Sequence, residues 1–462
     1  MKSMANFWDF SVWGTVILAS ALIVSMLVAN MIKRSLPVLK NSLIPTSVLG
    51  GLLLLIISII YEAVTEVPLF NTAVFGGNGL ATLEVITYHS LALGFIASAF
   101  KPARGKMSKQ RTTEIFNTGV TTVATYLIQA IVGMGVTIIA AMVLNGFFEA
   151  AGILLPFGFG QGTGQALNYG TIYETEFGFD GGKSFGLTVA AVGFLVASIG
   201  GVIHLNIVQK KFDIRSNYTE AGPAMSMSDV QGDNEIPMNG SLDKLSIQMA
   251  FIMGTYILTY IVMYTLGELI PGFKAILYGF NFLFGVLIAT IIGIVVEKLR
   301  IKQIIHRQYV NTFLMTRISG FFFDVMIVAG IAAIRINRLE EFAGVLIILC
   351  VLGAVATYFY IRLVCKKLFP DYAEEQFLGM FGMLTGTAST GIILLREVDR
   401  NLQSPVSDNL VYQNLPAIVF GFPMMLLATL APVKPYLTFG ILVVFFIVMN
   451  VILFRSKIFR KK

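Results

Sequence analysis

The stretch "LPFGFGQGTGQALNYG", Leu155 to Gly170, lies between two long hydrophobic runs and carries five glycines: Gly158, Gly160, Gly162, Gly164 and Gly170. Gln161, Thr163, Gln165 and Asn168 stand among them. It is apolar enough to sit at membrane depth and too rich in glycine to be an ordinary spanning helix. Whether it crosses a bilayer or turns back decides the topology of the whole chain.

The surroundings are those of a polytopic helical membrane protein. The 462 residues are 56% hydrophobic and 13% charged, with mean hydropathy +0.79, whereas a soluble domain carries about a quarter charged residues. A spanning helix needs roughly 20 apolar residues. Eleven runs of suitable length occur near 11–31, 44–62, 82–100, 115–145, 184–209, 245–270, 273–297, 313–336, 341–364, 411–431 and 434–454. Two further segments, 150–174 and 375–396, are apolar but filled with Gly, Thr and Ser. The first run follows a single Lys2, is too long for a signal-peptide core and is followed by Lys33 and Arg34, so it reads as a retained span. Cys350 and Cys365 show no CxxC spacing and read as buried thiols. His89, His204 and His306 are scattered and form no metal motif.

Basic loops stay cytoplasmic, and this arbitrates the two glycine-rich segments. If both enter and return on one side, 26 of the 33 Lys and Arg residues collect on a single face. The opposite face keeps the acidic loops "YEAVTEVPLF", "YETEFGFD" and "GELIPG". If 150–174 crossed alone, "QKKFDIR" and "EKLRIKQ" would face outward and the bias would collapse. The re-entrant arrangement puts the N-terminus outside and the C-terminus in the cytoplasm, as expected of a multi-pass plasma-membrane protein. It also accounts for the formal charge of +7 without nucleic acid, since basic loops face an anionic leaflet.

The chain also resembles itself. "IPTSVLGGLLLL" (Ile44–Leu55) parallels "FNFLFGVLIATI" (Phe280–Ile291), and "LALGFIAS" (Leu91–Ser98) parallels "IVAGIAAI" (Ile327–Ile334). Gly50 to Gly285 is 235 residues, Gly94 to Gly330 is 236, and Gly162 to Gly386 is 224. Each half, 1–209 and 245–431, reads as four spans, a glycine-rich dip (150–174 or 375–396) and a fifth span. Five crossings is odd, so the second half is inverted; the first dip enters from outside and the second from the cytoplasm. Residues 210–244 read as a mobile cytoplasmic linker, and 432–462 as an added C-terminal span with a basic tail.

Non-helical backbone is tolerated at membrane depth only where protein buries it or it lines an aqueous cavity. Its carbonyls can then hold a cation, and flanking helix N-termini can hold an anion. Inverted repeats with broken segments meeting near the midplane are the architecture of secondary transporters. The second segment, "FGMLTGTASTGIILLRE" (Phe381–Glu397), supplies the hydroxyls of Thr385, Thr387, Ser389 and Thr390, with Gly386 and Gly391 freeing the backbone. Small residues also permit close helix packing, and that is the plainer account of either segment alone.

"GQGTGQA" (Gly160–Ala166) after "GILLPFGF", "GTASTG" (Gly386–Gly391) and "IPTSVLGGLLL" together resemble the glutamate–sodium symporters, nearly the whole chain agreeing in span order except the last span. The resemblance implies sodium-coupled uptake of a dicarboxylic amino acid, a site built from two re-entrant segments, and a homodimer whose hairpin-bearing domain moves against a fixed scaffold. Gly162, Thr163, Gly164, Gly386, Thr387 and Thr390 match the family pattern. Gln161 stands where the family has His, Gln165 where it has a small residue, and Ser389 where it has Pro.

Asp324, midway along its span, carries a charge whose burial costs roughly 3 kcal/mol unless paired or wet. It could ligate sodium or receive a substrate ammonium, or pair with Arg317 or Arg396. Arg396, directly after the second dip, either stabilises an anionic substrate or marks the loop boundary. Arg317, Arg335 and Arg338 lie near span ends, where long side chains snorkel. "FDGGKS" lacks the first glycine of a phosphate loop, because position 177 is Phe177, and "GFGQGTG" does not fit G-x-G-x-x-G. The reading is therefore a symporter and no enzyme, with no cofactor and sodium as coupling ion, ligated by Thr163, Thr387, Asp324 and hairpin carbonyls. Its partners are a small anionic or zwitterionic solute, the lipid bilayer and a second copy of the chain. A channel with re-entrant filter loops and a membrane-embedded enzyme are the competing classes.

Overall fold

The computed structural model describes residues 6–40, 43–100, 108–144, 146–212, 235–238, 242–271, 274–399 and 404–458. Most of the expected 210–244 linker lies outside these residues. Among the described residues the fold is helical throughout, apart from an isolated β-bridge between Glu235 and Gln308.

Among the described residues, ten helices are long and apolar enough to cross a membrane. In the first half they are α1 (Phe10–Ser35), α2 (Thr46–Thr65), α3 (Gly79–Ala99), α4 (Lys109–Val143) and, after the short pair α5 (Leu154–Gln161) and α6 (Thr163–Phe177), α7 (Gly182–Phe212). The second half gives α8 (Lys244–Leu269), α9 (Asn281–Ile301), α10 (Thr312–Ala332) and α11 (Ala343–Leu368). The short pair α12 (Ala373–Thr385) and α13 (Ala388–Arg396) follows, then α14 (Val406–Tyr412), α15 (Asn414–Leu430) and α16 (Pro435–Leu453). The expected run at 411–431 is bent rather than straight: α14 and α15 meet at 49°. The run expected from 273 begins instead at Asn281, because a short helix, Lys274–Gly279, is interrupted at Phe280.

The helices are apolar nearly all round, as in a chain solvated by lipid. Helix α1 buries only the stripe Gly14, Leu18, Leu22, Ser25 and Ala29, at the 3.6-residue period. Val16, Ile23, Val24, Leu27 and Met31 on its other faces are exposed. In α8, Leu245, Met253, Ile257, Leu258, Ile261 and Leu269 are likewise exposed. Such a surface needs a hydrocarbon environment, and the architecture is that of a multi-pass membrane protein. Polar caps mark the watery ends: Ser108 accepts from the Arg111 amide at the start of α4, and Asp243 accepts from the Leu245 amide at the start of α8.

The chain forms two compact units, one of residues 1–83, 107–220 and 328–462, the other of 84–106 and 221–327. The second unit centres on Leu93, Ile96 and Ala97 packed with Ile252, Ala289, Met315 and Ile318. Here the end of the expected linker is docked rather than free. The buried Lys244 ammonium lies 2.6 Å from the Glu235 carboxylate, to which Asn311 Nδ2 also donates at 2.7 Å. Sequence composition signals solvation along 210–244, but a lysine that finds a carboxylate partner can be buried at its edge. Both glycine-rich pairs, α5/α6 and α12/α13, belong to the first unit.

Candidate functional site

The break between α5 and α6 is made by Gly162 alone, at φ +79° and ψ −171°. That region is essentially closed to residues with a Cβ. A continuous helix would carry Phe157 and Tyr169 about 18 Å apart. Their rings instead stack with centroids 4.0 Å apart and planes 8° from parallel. The chain therefore doubles back on itself at Gly162. The other glycines serve close packing: a methyl on Gly158 would meet Val189 and the Ala190 amide, and one on Gly170 would meet the Gly182 carbonyl at 2.6 Å. Tyr169 and Tyr173 donate to the carbonyls of Met425 and Ala428 and fix α6 to α15.

The second pair folds back in the same way. A methyl on Gly382 would lie 2.8 Å from the Gly391 Cα, and one on Gly391 would strike the Gly379 carbonyl. These residues lie on opposite sides of the break at Gly386–Thr387, so α12 and α13 run back to back. Thr387 caps α13 by accepting from the Thr390 amide at 3.2 Å, with the two hydroxyls 3.1 Å apart. Thr385 donates to the Phe381 carbonyl. At the far end of α12, Glu374 takes a forked bond from Arg362 and a 3.0 Å contact from His204 Nε2, while His204 Nδ1 meets the Tyr358 hydroxyl. This cluster ties the foot of the hairpin to α7 and α11.

The two tips converge on α7 and α4. A methyl on Gly193 would lie 2.5 Å from the Thr385 carbonyl oxygen and 3.3 Å from the Phe159 Cα, one from each hairpin. On α4, the Tyr126 hydroxyl donates to the Gly160 carbonyl at 3.2 Å. One turn further, Gln129 Nε2 donates to the Leu384 carbonyl at 2.9 Å. The C-terminal ends of α5 and α12 and the N-terminal ends of α6 and α13 thus gather in one region, presenting carbonyls and amides together. Hydroxyls and carboxamides fill it, and it carries no formally charged side chain among Gln161–Asn168 and Thr385–Thr390.

Of the residues expected to form a site, Gly162, Thr163, Gly164, Gln165, Asn168, Thr385, Gly386 and Thr390 are buried at or near the tips. Gln161 and Thr387 are half-buried. Thr163 packs against Gly330, where a methyl would come within 2.6 Å of its Cβ. Asn168 donates to Gln165 Oε1 at 3.1 Å, and Gln165 Nε2, also buried, meets no acceptor among the described residues. Ser389 is placed in the first turn of α13, its side chain lying outside the described ones. Arg396 is exposed in the last turn of α13, about 14 Å along the helix from Thr387. Asp324 is exposed on α10, in the second unit. Tyr126, Gln129 and Gly193 were not singled out in the sequence. Gln129, a carboxamide in the middle of "TYLIQAIVG", was the readable signal; Tyr126 and Gly193 look like ordinary membrane-helix residues.

A cavity of about 50 Å³ lies between Glu174, Asp180, Lys183, Ser184 and Arg335. Glu174 is eleven residues along α6 from Thr163, about 16 Å of helix, so this cavity is remote from the tips. Among the described residues no three His, Cys, Asp or Glu side chains are grouped to hold a metal. Scanning the chain against protein-family models gives no match, and neither does a search of curated proteins.

Proposed function

We propose that the protein is a secondary transporter that couples sodium entry to import of a small anionic or zwitterionic solute by alternating access. Glutamate or a related amino acid or dicarboxylate is the solute that the sequence resemblance implies. The observation that carries this reading is the convergence of two folded-back helix pairs at Gly193, which brings four helix ends to one buried, uncharged, polar region. Oriented amides there suit a carboxylate, and carbonyls and hydroxyls suit sodium, with no charge to be neutralised between cycles. In this reading the pairs are re-entrant hairpins, one from each face of the plasma membrane, and the N-terminus is outside.

Packing of the spans supports the inverted repeat. In the first unit, Gly51 of α2 meets Ile331 of α10; in the second, Gly285 of α9 meets Ile96 of α3. A glycine of the second span in each half thus packs on the third span of the other half, within two residues of Gly330 or Gly94. Two copies of one module exchanging these helices would produce this reciprocity. A homodimer, with the hairpin-bearing part moving, completes the proposal.

The test is solute counterflow in proteoliposomes. Thr163→Val and Thr387→Val each abolish or severely weaken sodium-dependent uptake while the protein still inserts and folds. Thr387→Ser, which keeps the cap on α13, retains more activity than Thr387→Val. Wild-type uptake rates in both valine variants would remove the hairpin tips from the mechanism. Uptake driven equally by a pH gradient in sodium-free buffer would replace sodium with protons.

A further inference from the structure

A line of buried polar side chains runs from the hairpin tips along the seam of α4, α12 and α14. Three of them are carboxamides whose nitrogen is bonded and whose oxygen meets no donor among the described residues: Gln129 Oε1, Asn409 Oδ1 and Gln413 Oε1. All three residues are 2% exposed or less.

The orientation of each amide follows from the groups its nitrogen meets. Gln129 Nε2 faces the Leu384 carbonyl, which can only accept, and the Thr357 hydroxyl, whose own proton goes to the Gly353 carbonyl. Thr118 gives its proton to the Glu114 carbonyl and so accepts from Gln376 Nε2. That turns Gln376 Oε1 toward Asn409, whose nitrogen donates to it at 3.1 Å. Gln413 Nε2 lies against the Met383 sulfur and Asn414 Oδ1. Flipping Gln129 would set its oxygen against the Leu384 carbonyl, and flipping Asn409 or Gln413 alone would set it against Gln376 Oε1 or Asn414 Oδ1.

The oxygens are spread along the seam. Asn409 answers Gln376 at the level of Thr118, and Gln129 lies eleven residues on, about 16 Å up α4. Gln413 lies between them, its backbone beside Gly119 and its side chain at Met383. Below Thr118 the seam reaches Glu114, a part-exposed carboxylate paired with Arg111.

A buried acceptor without a donor costs about 1–3 kcal/mol, and proteins seldom keep one. Three in one seam, all oxygens, define a specific chemistry. The donors are already used, so an anion finds nothing to bind. Neutral carboxamide oxygens suit a monovalent cation, whereas a divalent one takes carboxylates, which the seam lacks above Glu114. We propose that this seam binds a partly hydrated alkali cation and leads it between the hairpin tips and the Glu114 end of α4. Naming the ion as sodium, and that end as the cytoplasmic exit, rests on the transport reading above.

The experiment has two arms. Thermal unfolding of the purified protein is measured in sodium, lithium, potassium and choline chloride at one ionic strength, with no solute present. Sodium or lithium raises the melting temperature above that in choline; Asn409→Leu and Gln413→Met lose this cation-specific rise. Gln413→Met melts in choline no lower than the wild type, because it removes an unanswered acceptor; Asn409→Leu removes one but leaves Gln376 Oε1 without its donor, so its cation response is read against its own melt in choline. In proteoliposomes the same variants raise the sodium concentration for half-maximal uptake at least tenfold and recover at saturating sodium. A wild type indifferent to the choice of cation, or variants with its full cation response, overturns the proposal. A cation response without any sodium-driven uptake overturns the transport reading and leaves the seam standing.

Discussion

Replacing Gly162 by alanine isolates the backbone requirement of the first hairpin. At φ +79° and ψ −171° an L-residue is strained by about 1–3 kcal/mol before any contact is considered. The strain is relieved only by moving φ toward negative values, which pulls α5 and α6 toward a continuous helix and separates the Phe157–Tyr169 stack. That stack adds about 0.5–1.5 kcal/mol beyond its area, so the two effects oppose each other directly. The matched control is Gly293→Ala in α9, where the added methyl meets nothing within 4 Å; alanine in a helix interior is favoured over glycine by up to about 1 kcal/mol. Unfolding of both variants is followed by thermal melts of the purified protein, alongside sodium-dependent counterflow. Gly162→Ala is destabilised and loses transport, whereas Gly293→Ala equals or exceeds the wild type in stability and keeps transport. Equal behaviour of the two variants would refute the reasoning, because it would mean that the break does not depend on a glycine conformation.

Other perturbations follow from the same packing. Gly193→Ala places a methyl 2.5 Å from the Thr385 carbonyl and 2.9 Å from the Phe159 ring; overpacking of about 1–3 kcal/mol separates the tips, and counterflow falls while Gly254→Ala, in open space, leaves it unchanged. Tyr173→Phe removes the donor to the Ala428 carbonyl and lowers stability by about 1 kcal/mol in a melt, with insertion unaffected. Lys244→Met leaves the Glu235 carboxylate without its ammonium and destabilises by roughly 3 kcal/mol; the double variant with Glu235→Leu regains part of that loss, which a melt of the two variants reads directly.

Much of the fold is readable in the sequence because lipid imposes a simple rule. A spanning helix must be about 20 residues long and apolar, and among the described residues ten of the eleven long runs contain a helix of that kind. The remaining run holds Pro416 and Pro423, and it became the bent pair α14/α15. Gly162 announced its break, since its positive φ is one that glycine tolerates, whereas Gly386 lies at negative φ and marks a place where a methyl would meet the Gly382 carbonyl at 2.9 Å. Gly158, Gly170, Gly382 and Gly391 look the same in the sequence but serve close packing of backbone on backbone. That distinction depends on which helix lies opposite, and a single chain of letters carries no such information. The unanswered oxygens of Gln129, Asn409 and Gln413 were illegible for the same reason: each is defined by partners some 30 to 250 residues away. Docking of Lys244 on Glu235 was hidden inside a stretch whose composition signals solvent.

The account turns on both hairpin tips lining one water-accessible site. The measurement that reaches it most directly is labelling of single cysteines at Gln161, half-buried at the first tip, and Ala388, exposed at the second, in a background with Cys350 and Cys365 replaced by alanine. A hydrophilic thiol reagent modifies both, and sodium together with the transported solute slows both reactions. Protection of one tip without the other, or two tips that react at the same rate whatever is added, contradicts a shared site.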